Sequence, residues 1–119
     1  MRVAGKTAHS GTPDLGVNAI FQAGRLLPRI QALHAELASH RHPLVGSPSL
    51  TVTRANAGRA DNVVPDACDL LLDRRLVPGE REAEAVAAIE AMLDAAREEG
   101  IEARIVELRP TTGGAAETA

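Results

Sequence analysis

The apolar residues of this chain change period four times along its length, and that succession of repeats constrains the fold more than any single motif. Arg2 to His9 reads as a short extended segment, broken by Ser10–Pro13. From Asp14 or Val17 to about His40, apolar residues recur at helical spacing (Val17, Ile20, Leu27, Ile30, Leu33, Leu37). Pro28 lies inside that run and predicts a kink or a split. "SLTVTRANAG" (Ser49–Gly58) alternates Leu50 and Val52 with Thr51 and Thr53, the pattern of a half-buried strand. After turns at Arg59–Asn62 and Pro65–Asp66, "ACDLLLDRRLV" places Cys68, Leu70 and Leu72 on one face and Asp69, Leu71, Asp73 and Arg75 on the other. "PGE" (Pro78–Glu80) opens a helix with Val86, Ile89, Leu93 and Ala96 as its apolar stripe and Gly100 as its stop. A last strand is predicted over Ile101–Arg109.

Strand, helix, strand, strand, helix, strand is the order of an α+β, ferredoxin-like βαββαβ sandwich, a four-stranded antiparallel sheet with two helices on one face. The predicted domain occupies 1–110, and 111–119 is too small and polar to pack, so it is expected to be a disordered tail. In this topology the strand over 49–57 lies at a sheet edge. Its Thr side chains and sparse charge invite pairing with a second copy, so a homodimer is expected through that edge and the first helix.

Composition excludes several function classes. At 119 residues the chain suits one domain, with Phe21 as its only aromatic residue, so a stacking platform for bases or sugars is not available. The formal net charge is −3 and no Lys/Arg cluster dominates, which argues against nucleic acid and anionic membranes as partners. Cys68 is the only cysteine, and neither a signal-peptide pattern nor a long apolar run is present, so the expected setting is cytoplasmic.

The opening tract "GKTAHSGTPDLGVNAI" suggests three chemistries. "GKT" (Gly5–Thr7) is the tail of a phosphate loop, but it lacks the earlier glycine, and "AHSGTP" stands where the helix should begin. His9 beside Ser10 is either a turn residue or a catalyst. The two are not a nucleophile pair, because neighbours on an extended segment point apart. His40 and His42 lack a third ligand for zinc, and His34 reads as a packed helical residue. Asn62, in "ADNVVPD", is either a turn former or a donor to a substrate carbonyl. Asp73, Arg74 and Arg75 are either a surface ion-pair cluster or a planar fork for a carboxylate.

Taken together and in order, "GKTAHSGTPDLGVNAI", "HPLVGSPSLTVTRANAG", "NVVPD" and "DRRLVPGE" resemble the lid or dimerisation domain of the M20 metallopeptidases, the group of acetylornithine deacetylase, succinyl-diaminopimelate desuccinylase, aminoacylase and carboxypeptidase G2. The resemblance runs from Arg2 to about Pro110. It implies amide hydrolysis by two zinc ions held in a separate catalytic domain, with none bound by this chain. It implies that His9 reaches into the partner's active site to stabilise an oxyanion, and that Asn62 contacts substrate. It also implies that Arg75 grips a substrate carboxylate, with Arg74 ranked behind it, and that Gly58 allows close backbone approach at the edge strand. The segments that carry the family's metal ligands and general base are not in this sequence. The expected function is therefore a domain of a longer hydrolase, inactive alone, that binds a small carboxylate-bearing substrate together with a catalytic domain. The alternative is a free-standing ferredoxin-like module that binds a small effector.

Overall fold

A computed structural model describes residues 1–39 and 46–108. The elements are β1 (Arg2–Ala4), α1 (Ala19–Ala38), β2 (Ser49–Ala57), β3 (Ala67–Arg75), α2 (Glu82–Glu98) and β4 (Ala103–Arg104). The four strands form one antiparallel sheet in the order β2-β3-β1-β4, the arrangement predicted for a ferredoxin-like sandwich. His40, His42 and the 111–119 tail lie outside the described residues.

Strand alternation decides which face the helices cover. Val3, Leu50, Cys68, Leu70 and Ala103 point into one layer, where they meet Ala19, Ala23, Leu26 and Ile30 of α1 and Leu93 and Ala96 of α2. Alanines at several of these helical positions let the helices sit close to the sheet. The opposite face carries Arg2 and Asp69, whose side chains pair at 2.8 Å and remain nearly half exposed. The hydrogen bond from Arg2 holds the Asp69 carboxyl below its ordinary range. Any stability from this pair is therefore present above the carboxyl's unfolded pKa and is lost as pH falls through the lowered folded value.

Helix ends follow local chemistry. The Asn18 side chain accepts hydrogen bonds from the Ile20 and Phe21 N–H groups, so α1 starts at Ala19 rather than at Asp14 or Val17. The residues before it form a short 3₁₀ turn, Pro13–Leu15. Gly100 takes φ +87° and ends α2, while the Ile101 N–H returns to the Ala96 carbonyl. Pro28 does not split α1, which is one helix on both sides of it. Its ring faces solvent.

Three further expectations need correction. The first strand is three residues long, not eight, because from Gly5 onward the backbone leaves the sheet to pair with Val17 and Val63. The last strand holds only Ala103–Arg104. Its ladder partner is β1, and the pairing Arg2↔Arg104 is the last one that β1 supplies. On α1, Ile20 and Leu27 do not belong to the buried stripe and are 46 % and 37 % exposed. At about 100° per residue they sit roughly 60–80° to one side of Ile30.

That shoulder has a direction. Gln22 and Arg25 donate to the Gly100 and Glu99 carbonyls, and Arg29 pairs with Glu99, so this side of α1 faces the C-terminal end of α2. Ile20 and Leu27 are on the other side, away from α2. Because α1 packs chiefly over β2, they lie beside the free edge of the sheet.

Candidate active-site surface

The tract around His9 is held by backbone hydrogen bonds on both sides. The Lys6 N–H donates to the Val17 carbonyl and the Val17 N–H to the Lys6 carbonyl, at 2.8 and 2.9 Å. Gly5 and Gly16 flank this bridge because no larger residue fits there. A Cβ on Gly5 would lie 2.2 Å from the Val17 oxygen, and one on Gly16 would lie 2.6 Å from the Lys6 oxygen. Farther along, the Ser10 N–H donates to the Asn62 carbonyl at 2.9 Å and the Val64 N–H to the Ala8 carbonyl at 2.8 Å. "GKT" is thus the start of a braced loop, in which the Gly5 and Lys6 N–H groups donate to the Asp66 and Val17 carbonyls rather than to a phosphate.

His9 is exposed at the outer turn of that loop. Its Nδ1 accepts a hydrogen bond from the Gly11 N–H at 3.0 Å. A neutral imidazole that accepts at Nδ1 carries its proton on Nε2, so the ring is held with an N–H donor directed away from the loop. The sequence reading missed Gly11, although its place two residues after the histidine is a local side-chain-to-backbone turn of the kind short polar residues make. Asn62 is next to His9 through the Ser10–Asn62 link. Gly58 shares a shallow depression with Val63, the residue bridged to His9. Gly58 adopts φ +89°, with open space where a Cβ would be, so the left-handed turn after β2 is what demands glycine there.

Arg74 and Arg75 are elsewhere. They end β3, whose nine residues span roughly 26 Å at about 3.3 Å each. Asn62 and His9 lie beyond the strand's opposite end. The two arginines also differ in environment. Arg74 is 13 % exposed and forms a two-pronged pair with Glu80, Nη1–Oε1 at 3.1 Å and Nη2–Oε2 at 2.7 Å. Glu80 also accepts from the Val77 N–H at 2.9 Å, which ties the turn before α2 to the end of β3. Arg75 is 57 % exposed, with its Nε on Asp73. Of the two forks, Arg75's is the one open to a ligand.

Cys68 is buried, and burial pushes its thiol pKa up, so it is a core residue and not a nucleophile. His34 spends its Nδ1 on the Leu50 N–H at 3.1 Å, fastening α1 to β2. Among the described residues, no three His, Cys, Asp or Glu side chains are grouped to hold a metal ion. These residues do not fit a two-zinc centre. No described helix is long and apolar enough to cross a membrane.

Residues 1–101 match the peptidase dimerisation domain family of the M20 enzymes. The chain belongs to that family. Among curated relatives it is 38 % identical over 85 residues to acetylornithine deacetylase of Myxococcus xanthus, covering 67 % of this chain and 22 % of the relative. It is 33 % identical over 95 residues to succinyl-diaminopimelate desuccinylase 2 of Shewanella loihica, covering 79 % and 24 %. A putative amidohydrolase/peptidase from Burkholderia cenocepacia shares the fold, with a TM-score of 0.61 and 24 % identity over 91 % of this chain and 26 % of that one. Aminopeptidase PepT from Bacillus cereus aligns with a TM-score of 0.55 and 25 % identity, over 85 % and 25 %. The M20 dimerisation domain described here therefore spans about a quarter of the length of the proteins it resembles.

Proposed function

We propose that this M20 domain is the lid and dimerisation element of a metal-dependent amide hydrolase, supplying side chains but no metal ligands to composite active sites. The observation that carries the reading is the hydrogen bond from the Gly11 N–H to His9 Nδ1, which leaves Nε2 as the ring's outward-facing donor. Such a donor suits a carbonyl oxygen that gains negative charge as water adds to an amide, and it needs no reorganisation at that moment. Asn62, beside it, contacts the same substrate. The catalytic domain of the longer chain holds the metal, two zinc ions in this reading, and supplies the activated water. The decisive experiment is His9→Ala in the full-length enzyme.

The distance between His9 and Arg75 gives the proposal its geometry. A small substrate cannot touch both ends of β3 in one subunit, so His9 and Asn62 serve one active site and Arg75 serves another. In a dimer, the two ends of one lid address the two catalytic domains, and each site receives an imidazole from one subunit and a guanidinium from the other. Arg75→Ala is expected to raise KM for a carboxylate substrate about tenfold or more, the loss of one charge-assisted pair, without lowering Tm. Arg74→Ala is expected to do the reverse, destabilising the fold by about 1–3 kcal/mol because it removes both charge-assisted bonds from the partly buried Glu80 carboxylate. Steady-state kinetics and thermal denaturation of both variants check this. A KM effect at Arg74 with none at Arg75 would exchange their roles.

The proposed dimer interface joins the free edge of β2 to the outward shoulder of α1. Ile20 and Leu27 are apolar, exposed and adjacent to that edge, so pairing two copies covers a strand edge and an apolar patch together. Leu27→Asp is expected to weaken self-association of the domain at least tenfold, the scale of one central apolar contact. Sedimentation across a concentration series measures it. An unchanged dissociation constant would place the interface on another face.

A further inference from the structure

The open face of the sheet carries a shallow depression at the end where β2 turns back toward β3. Its lining includes Asn56, Gly58, Arg59, Val63, Asp66 and Asp69. Val63 is bridged to His9, so the depression borders the loop that presents the imidazole. Charges in it are held with unequal firmness. Asp69 spends both carboxylate oxygens on Arg2, at 2.8 and 3.1 Å. Arg59 is 73 % exposed and stands 3.5 Å from Asp66, outside the about 2.7–2.9 Å of a charge-assisted hydrogen bond. The carboxylate contacts of Arg2, Arg74 and Arg75 are 2.8, 2.7 and 2.9 Å. The planar fork of Arg59 is thus the one in this depression left open to a ligand. Asn56, exposed opposite Asp69 on the same face, adds an amide donor with no hydrogen-bond partner among the described residues. The turn that carries Arg59 is braced against the His9 loop by the Ser10–Asn62 and Val64–Ala8 hydrogen bonds, so guanidinium and imidazole belong to one unit.

We propose that Arg59 and Asn56 form a specificity-determining pair that binds a carboxylate on the acyl half of the substrate. The proposal rests on reading His9 as the donor to the scissile carbonyl. On that reading the carboxylate of the amine half is taken by the Arg75 that the other subunit supplies. A guanidinium on the subunit that supplies His9 is therefore left for the acyl half. A planar fork and an amide N–H together suit the two oxygens of a carboxylate. Binding exchanges one carboxylate for another. The ligand takes the place of Asp66 at Arg59, and the Asp66 side chain, 47 % exposed, returns to water, so no charge is left buried. An uncharged acyl chain gains nothing from the exchange. The preferred substrates are accordingly amides of dicarboxylic acids rather than of simple fatty acids.

Matched substrates of the full-length enzyme test it: N-succinyl against N-butanoyl, and N-glutaryl against N-pentanoyl, each pair on the same L-amino acid and screened across the common amino acids. Within a pair the members differ by a terminal carboxylate in place of a methyl group. The anionic member of at least one pair is expected to have the higher kcat/KM, by about tenfold or more, the scale of one charge-assisted pair. Arg59→Ala should bring that preference to within about twofold of parity, and Arg59→Glu should reverse it. A parent enzyme with no such preference, or a preference that survives Arg59→Ala, would overturn the proposal. The readout is a ratio between two substrates, whereas His9→Ala is read as a loss of kcat on both. A lost kcat in His9→Ala with an unmoved ratio in Arg59→Ala therefore sinks the subsite and leaves the lid reading standing. A moved ratio with an intact kcat removes the oxyanion role of His9 and leaves the subsite.

Discussion

His9→Ala in the full-length enzyme is expected to lower kcat by about 10²–10³ with little change in KM, the signature of a donor used only in the transition state. The ring is exposed, and its recorded bond to the domain is the one from the Gly11 N–H. Removing it should therefore leave Tm almost unchanged, which separates this loss from misfolding. Steady-state kinetics with thermal denaturation on the same samples gives both quantities, and turnover within a few-fold of the parent would sink the oxyanion role. Mixing is more stringent. A subunit carrying His9→Ala and a subunit disabled in its catalytic domain are each inactive as homodimers. If His9 serves the partner's site, each hybrid dimer contains one complete site, and random exchange between equal amounts restores about a quarter of the parent activity. No recovery on mixing, with hybrid dimers shown to be present, would place His9 in its own subunit's site.

The sandwich was legible because each change of apolar period coincides with a change of element, and breakers such as Gly100 stand where elements end. What sequence could not show was pairing between distant segments. Nothing local to His9 or Asn62 announces that the Ser10 N–H meets the Asn62 carbonyl, and the two residues become neighbours only when the loop closes on the turn before β3. Arg74 and Arg75 are equivalent as letters. Strand alternation separates them, turning one toward Glu80 in the helical layer and the other toward the open face. On α1, an apolar arc wider than one packing face fits helical spacing along either flank, so Ile20 and Leu27 read as core although they border the free sheet edge. The glycines were the least transparent. In "GKTAHSGTPDLG" they read as breakers, yet Gly5 and Gly16 are sites where two backbones touch.

Gly5→Ala is accordingly expected to cost about 3 kcal/mol or more, at or above the top of the usual overpacking range. The added methyl would stand 2.2 Å from the Val17 oxygen, 2.9 Å from the Ala19 nitrogen and 3.1 Å from the Pro65 oxygen. All three are backbone atoms, so no side chain can rotate away, and relief requires moving either the start of α1 or the turn that leads into β3. Both movements disturb the loop that presents His9, so the substitution should impair stability and activity together. For a domain of this size the fall in Tm is about 10 °C or more. Gly24→Ala, the same chemical change inside α1, meets no atom within 4 Å and should instead stabilise the helix by up to about 1 kcal/mol, measured at a dilution where the domain is monomeric. Thermal denaturation of the two variants therefore gives shifts of opposite sign. Equal shifts, or a Gly5→Ala protein that melts within about 2 °C of the parent, would mean that the bridge between Lys6 and Val17 is not the brace that holds His9 in place.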